Sequence, residues 1–155
     1  GIMSIQKGYK LNKTIKSGQF LDYMKENDKE YVMIESNLEY LKKFVDLAKE
    51  YNTKLIIIGF PSQNSWNHQR DKKFNELSKE LGFTFINLNK YDLNINWKTD
   101  TKDEGGHLNY FGALKASKVL GNILKDTNLL VDHRGDKNYK LWDTAYLRYK
   151  EEVNK

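Results

Sequence analysis

Lys54-Leu55-Ile56-Ile57-Ile58-Gly59-Phe60-Pro61 is the stretch on which the reading of this chain turns. Leucine and three isoleucines follow one another with no polar residue between them. A strand with one wet face alternates apolar and polar side chains. An unbroken apolar run is buried on both faces, as in a parallel sheet covered by helices. Pro61 has no N–H to give to a ladder, so the strand is expected to stop there. The polar loop from Pro61 to Trp66 then leaves its C-terminal end, where open α/β sheets place their ligands. Ser62, Asn64 and Trp66 on this loop are candidate substrate contacts.

Upstream, Ser36-Asn-Leu-Glu39 has the form of a capping box and predicts a helix to about Tyr51. Leu38, Leu41, Val45 and Ala48 mark its buried stripe, with Phe44 alongside. Downstream, a second helix is expected from about Asp71 to Leu81, with Phe74, Leu77 and Leu81 inward and Gly82 as its stop. Phe83 to Leu88 reads as the next strand. Asn109 is a good N-cap for a third helix, running to about Leu124 with Ala113, Ala116, Leu120 and Ile123 on its apolar side. This alternation of helix and strand predicts an α/β fold. Only two strong strands are visible, and three or more are usually needed for a self-sufficient sheet. Either weak strands hide in the first thirty residues, or the chain is the latter part of a larger domain. The opening Gly1-Ile-Met-Ser resembles a processed end and shows no signal pattern.

The expected organisation is a lead-in segment over 1–30, an α/β domain over 31–130 and a helical tail over 131–155. In the tail, Trp142, Ala145, Tyr146 and Tyr149 fall on one side of a helix and are expected to pack against the sheet. Arg134-Gly-Asp136 spells an adhesion tripeptide, too short to carry a function.

The 155 residues are 39% hydrophobic and 13% aromatic, enough for a core in one domain. No apolar run reaches eighteen residues, so no membrane span is expected. The absence of cysteine removes disulfides, thiolate catalysis and cysteine-bound zinc, and fits the cytoplasm as well as the bacterial exterior. A net charge of +5 invites nucleic acid, but arginine occurs only at Arg70, Arg134 and Arg148. Base readout favours arginine, and no lysine cluster alternates with aromatics to form a stacking platform. Nucleic acid is therefore not expected as a partner, whereas an anionic polymer fits a mildly basic surface.

The chemistry concentrates in Asp100-Thr-Lys-Asp103-Glu104-Gly-Gly-His107-Leu-Asn109-Tyr110. Gly105 and Gly106 allow a tight turn beside His107. A histidine just before an anchored helix, with carboxylates three and four residues upstream, is how an oriented general base is built. Asn109 and Tyr110 stand beside it as further substrate contacts. His68 and His133 have no paired-ligand spacing with His107, so a metal site is not expected, and acid–base chemistry at His107 requires no organic cofactor.

The order of these elements resembles the C-terminal half of the SGNH/GDSL hydrolase superfamily, whose members include esterases, lipases and acyltransferases. The strand-proline segment Leu55 to Pro61 is similar to a late strand of that family, and Asp103-Glu104-Gly-Gly-His107-Leu-Asn109 approximates its D-x-x-H block. The run His107-Leu-Asn-Tyr-Phe-Gly-Ala-Leu-Lys looks like extracellular SGNH-like proteins found beside membrane-bound O-acyltransferases in bacteria. Asp132-His-Arg-Gly-Asp136 to Trp142 is similar to their ends, so the resemblance covers about residues 31 to 149. It implies a three-layer, flavodoxin-like sandwich with a parallel sheet, incomplete in this chain. It also implies action on acetyl-type esters of a cell-surface carbohydrate or cell-wall polymer, with a membrane-bound acyltransferase as a partner. The location implied is extracellular or cell-surface.

His107 would be the general base and Asp103 or Glu104 its orienting acid. The family's acid lies three residues before the histidine, where this chain has Glu104. Nothing matches the family's nucleophilic serine: Ser4 has no strand before it, and Ser62 and Ser65 lie on a different loop. The nucleophile is thus expected outside this chain. The alternative is a non-catalytic α/β module that binds a glycan or a protein, with Trp66, Trp97 and Tyr110 stacking on sugar rings.

Overall fold

The computed structural model describes residues 10–154, and Ser4 lies outside them. The fold is mixed α/β. Helix α1 spans Glu35–Glu50, strand β1 Ile56–Gly59, helix α2 His68–Leu81 and strand β2 Thr84–Asn87. Helix α3 covers Tyr110–Asp126 and helix α4 Lys140–Val153, with short 3-10 turns at Leu88–Lys90 and Lys137–Tyr139.

β1 and β2 pair in parallel, Ile56 opposite Thr84 and Gly59 opposite Asn87, and form a two-stranded sheet among the described residues. Successive side chains of a strand point to opposite faces, and helices cover both. Ile57 and Phe85 join Val45 of α1 and Leu77 of α2 around Phe83. Ile56, Ile58 and Ile86 join Leu88, Leu93 and Ala116 of α3 on the other side. Both faces of the strand are packed, as the isoleucine run predicts, although its three isoleucines are half-buried rather than fully buried.

The helix ends refine the sequence reading. α1 begins at Glu35 with Ile34 as its N-cap and no side-chain cap, so Ser36 to Glu39 is not a capping box. Ser36 lies inside the first turn, and the carbonyl of Ile34 already accepts from Asn37 and Leu38. Phe44 is 63% exposed and does not join the buried stripe around Val45. α2 starts three residues before Asp71, because the Asn67 side chain accepts from the Arg70 N–H. Gly82 ends it in the left-handed conformation at φ 83°, which glycine adopts without steric cost. The aromatic side of α4 does not sink into the sheet: Trp142 and Tyr146 are more than half exposed, and no residue of the helix is buried.

Residues 10–20 carry no regular structure but are not loosely placed. Tyr110 N donates to Asn12 O at 2.7 Å, Lys16 N to Thr101 O at 3.0 Å, and Gly18 N to Trp97 O at 2.7 Å. This extended strip runs along the loop that carries His107.

Past the strands, Asn89 ties the loops together. Its amide nitrogen donates to Phe60 O at 3.2 Å and Asn87 Oδ1 at 2.6 Å, while its oxygen accepts from Ser62 N and Tyr23 Oη. Asp71, 3% exposed, accepts from Asn87 at 2.7 Å and lies 3.4 Å from Lys90 Nζ. A buried carboxylate without such partners would be costly. The result is a fixed polar frame at the C-terminal end of the sheet.

Candidate acid–base site

Thr101 and Leu108 form an antiparallel bridge that closes the histidine loop at its base. Inside it, Lys102 N donates to His107 O and Gly106 N to Asp103 O. Glu104 and Gly105 turn the chain with φ of 60° and 95°. Glycine takes that conformation readily, but glutamate adopts it only when its surroundings hold it there. Glu104 N donates to Lys16 O, so the strip over residues 10–20 helps to hold it.

This turn settles which carboxylate meets the histidine. Asp103 Oδ2 lies 2.5 Å from His107 Nδ1, and its Oδ1 accepts from the His107 backbone N–H at 2.5 Å. Glu104 is exposed and lines a groove of about 740 Å³ with Lys16, Gln63 and Asn64. Burial works to raise the Asp103 carboxyl, but the ring and backbone hydrogen bonds from His107, with the charges of His107 and Lys102, hold it below its ordinary value. A carboxylate on Nδ1 keeps the proton of the neutral imidazole there and leaves Nε2 as the basic atom. The His107 side chain is 72% exposed, so that atom faces incoming groups rather than a packed interior.

Asn109 is 2% exposed, and its side chain is spent on backbone. Its oxygen accepts from Phe111 N and Gly112 N, capping α3 as expected. Its nitrogen donates to the carbonyls of Thr14, Thr99 and Thr101. It is a hub that fixes the histidine loop to the helix. Tyr110 opens α3, half-buried, with its ring edge-on to Phe111 at 5.4 Å.

On the loop after β1, Ser62 is 6% exposed, and its hydroxyl accepts from Ser65 N at 3.1 Å. Trp66 packs inward, stacked on Phe85 at 5.8 Å and against Phe74 at 5.6 Å. A Cβ on Gly59 would stand 2.6 Å from its ring, so that position in β1 requires glycine. Asn64 is the exposed member of the group. Its amide nitrogen would lie 3.1 Å from a Cβ at Gly106, which places it beside the dyad loop. The structure thus brings Asp103, His107, Glu104 and Asn64 to one surface. Ser62, Trp66 and Asn109 support it from below.

Gln63 is a residue that the sequence reading passes over. Its N–H donates to Gly105 O at 2.9 Å, and its side-chain amide donates to Gln19 O at 2.6 Å. It clasps the β1 loop, the histidine loop and the strip over residues 10–20. A glutamine in a polar loop has no sequence signature for this, because all its partners are backbone groups far along the chain.

His68 opens α2 among Glu26, Asp28 and Glu30, and His133 stacks on Tyr139 and lies 3.7 Å from Asp136. Among the described residues no group of three or more His, Asp and Glu could hold a metal ion, and no helix is long and apolar enough to cross a membrane. Nor does a hydroxyl of any described residue hydrogen-bond to the His107 ring. Compared with family models, curated proteins and solved structures, the chain matches none.

Proposed function

We propose that this chain carries the acid–base half of an SGNH-like acyl-transfer site on an incomplete flavodoxin-like α/β scaffold. His107 Nε2 takes the proton of a serine hydroxyl and returns it to the leaving group. Asp103 fixes the tautomer and stabilises the imidazolium. The nucleophilic serine comes from outside the chain described by this sequence. The substrate class is an acetyl-type ester on a cell-surface carbohydrate, met outside the bacterial cell in company with a membrane-bound acyltransferase.

The observation that carries this reading is the double grip of Asp103 on the ring and backbone of a histidine whose other edge is open. The pair is exposed, and water-filled surroundings weaken the electrostatic help an enzyme can give, so this chemistry requires another segment or the substrate to cover it.

The test is an assay of acetate release from, or transfer between, acetylated glycans, using a protein extended upstream to include a candidate serine. His107→Ala should cost at least about a hundredfold in rate, the lower range of general acid–base catalysis, with glycan binding little changed. The chain by itself should barely turn over aryl esters. Equal rates for the extended wild type and the His107 variant would make the histidine loop structural and end the enzymatic reading.

A further inference from the structure

A cavity of about 560 Å³ opens between the chain around Phe20 to Met24 and the loop that follows β2. Sites for small molecules span roughly 300–1,000 Å³. Pro61 and Leu88, just past the two strands, line it, so it sits at the C-terminal end of the sheet, the ligand side of open α/β folds. Leu21 is on its wall and also on that of the groove beside Glu104. The cavity and the groove beside the dyad are therefore neighbours, with no residue of the dyad lining the cavity itself.

Its lining combines four aromatic rings, Phe20, Tyr23, Tyr91 and Trp97, with two carboxylates, Asp22 and Asp92. Tyr23 and Trp97 stand at 90° with centroids 5.5 Å apart and form a corner of two π faces. The Tyr23 hydroxyl donates to Asn89 Oδ1 at 3.0 Å, which anchors the corner to the polar frame. Phe20 is 94% exposed and Tyr91 46% exposed, so both rings are open to solvent at the cavity. In a chain of net charge +5, no lysine, arginine or histidine lines this cavity among the described residues. Neither Asp22 nor Asp92 has an ion-pair partner among them.

This combination selects its ligand by charge. An anion would meet two carboxylates with no compensating cation. A neutral apolar group would draw water away from those carboxylates and give nothing back. A cation gains on both counts, because aromatic faces attract it through their quadrupoles and the carboxylates supply countercharge. We propose that the cavity binds a small organic cation of the alkylammonium class, seated against the Tyr23–Trp97 corner with Asp22 and Asp92 beside it.

The whole chain can be titrated with choline and with tetramethylammonium, following the Trp97 indole N–H by NMR. Parallel titrations use the neutral carbon isostere of choline and a simple methyl glycoside. The expected result is a saturable shift of the Trp97 signal by the cations, with the isostere weaker by at least about tenfold. The double variant Asp22→Asn, Asp92→Asn should lose at least about tenfold in cation affinity while keeping the wild-type melting curve, because both side chains are exposed. Trp97→Phe should keep measurable binding by calorimetry. Three outcomes would each overturn the proposal: no response to either cation, equal binding of the isostere, or binding of the glycoside alone. An unchanged affinity in the double variant would do the same.

Discussion

Asp103 holds His107 at both ring and backbone, whereas Glu104, one residue nearer in sequence, is turned away by its own left-handed φ of 60°. The sequence places two carboxylates within reach and cannot choose between them, because the choice depends on a backbone turn held by Lys16. In the extended, serine-bearing protein, Asp103→Asn should therefore lower the rate of acetyl transfer by at least about tenfold, a loss within what an oriented base contributes. Glu104→Gln should stay near wild type. The reverse pattern would reassign the acid. Asp100 and Asp103 also make stability depend on pH. For Asp100, burial raises the carboxyl, but hydrogen bonds from Lys115, Asn96 N and Thr99 outweigh it and hold it below its usual value. Lys115 Nζ stands 2.7 Å from it. A carboxyl lowered in the folded state contributes stability that is fully present above its unfolded pKa and is lost as pH falls through the folded one. Urea unfolding should accordingly show stability declining below about pH 4, the ordinary carboxylate range. Asp100→Asn should cost about 1–3 kcal/mol at neutral pH and make the acid decline shallower. A decline of unchanged depth would show that Asp100 does not contribute to it.

Helix α3 contains two glycines that look alike in sequence and differ in their surroundings. A Cβ on Gly112 would stand 2.5 Å from Asp100 O and 2.9 Å from Leu108 Cδ2, whereas one on Gly121 would meet nothing within 4 Å. Gly112 is what lets the first turn of α3 press against the histidine loop. Gly112→Ala should therefore destabilise by about 1–3 kcal/mol, the usual cost of overpacking. Gly121→Ala should stabilise by about 0.5–1 kcal/mol through helix propensity alone. Paired thermal melts would check both, and similar shifts for the two would contradict the packing described. Elements of this kind mark the limits of sequence reading. The isoleucine run, the Gly82 stop and the Asn109 cap are legible because each acts through its own local chemistry. The start of α1 is not, since Ser36 and Glu39 have the residue types of a capping box while the backbone at Ile34 enters the helix earlier. The depth of α4 is not legible either. Its period marks an apolar side, but period alone does not say whether anything lies against it.

The molecule as a whole has helices on both faces of its sheet but only two strands between them among the described residues. On α1, Tyr40, Phe44 and Leu47 recur at helical spacing and, with Tyr51 just past its end, are all exposed, on the side away from buried Val45. The parallel pairing was legible from burial patterning. The attachment of residues 10–20 was not, because the strip joins mostly through its own backbone groups, which meet Trp97, Thr101, Gln63 and Asn109 with little demand on its side chains. That attachment means the chain need not be continuous to stay whole. Glu26 is the first glutamate in the sequence and is exposed, as is Glu30. A glutamate-specific protease should cut there and leave everything before Glu26 in one piece. Native mass spectrometry of the digest should still find both pieces in a single particle, and denaturant should separate them. Prompt loss of the small piece without denaturant would show that those hydrogen bonds hold less than their number suggests. If it stays, the protein can be run as a split pair: a synthetic peptide of the first 26 residues, added to the remainder, would decide whether the histidine loop is assembled.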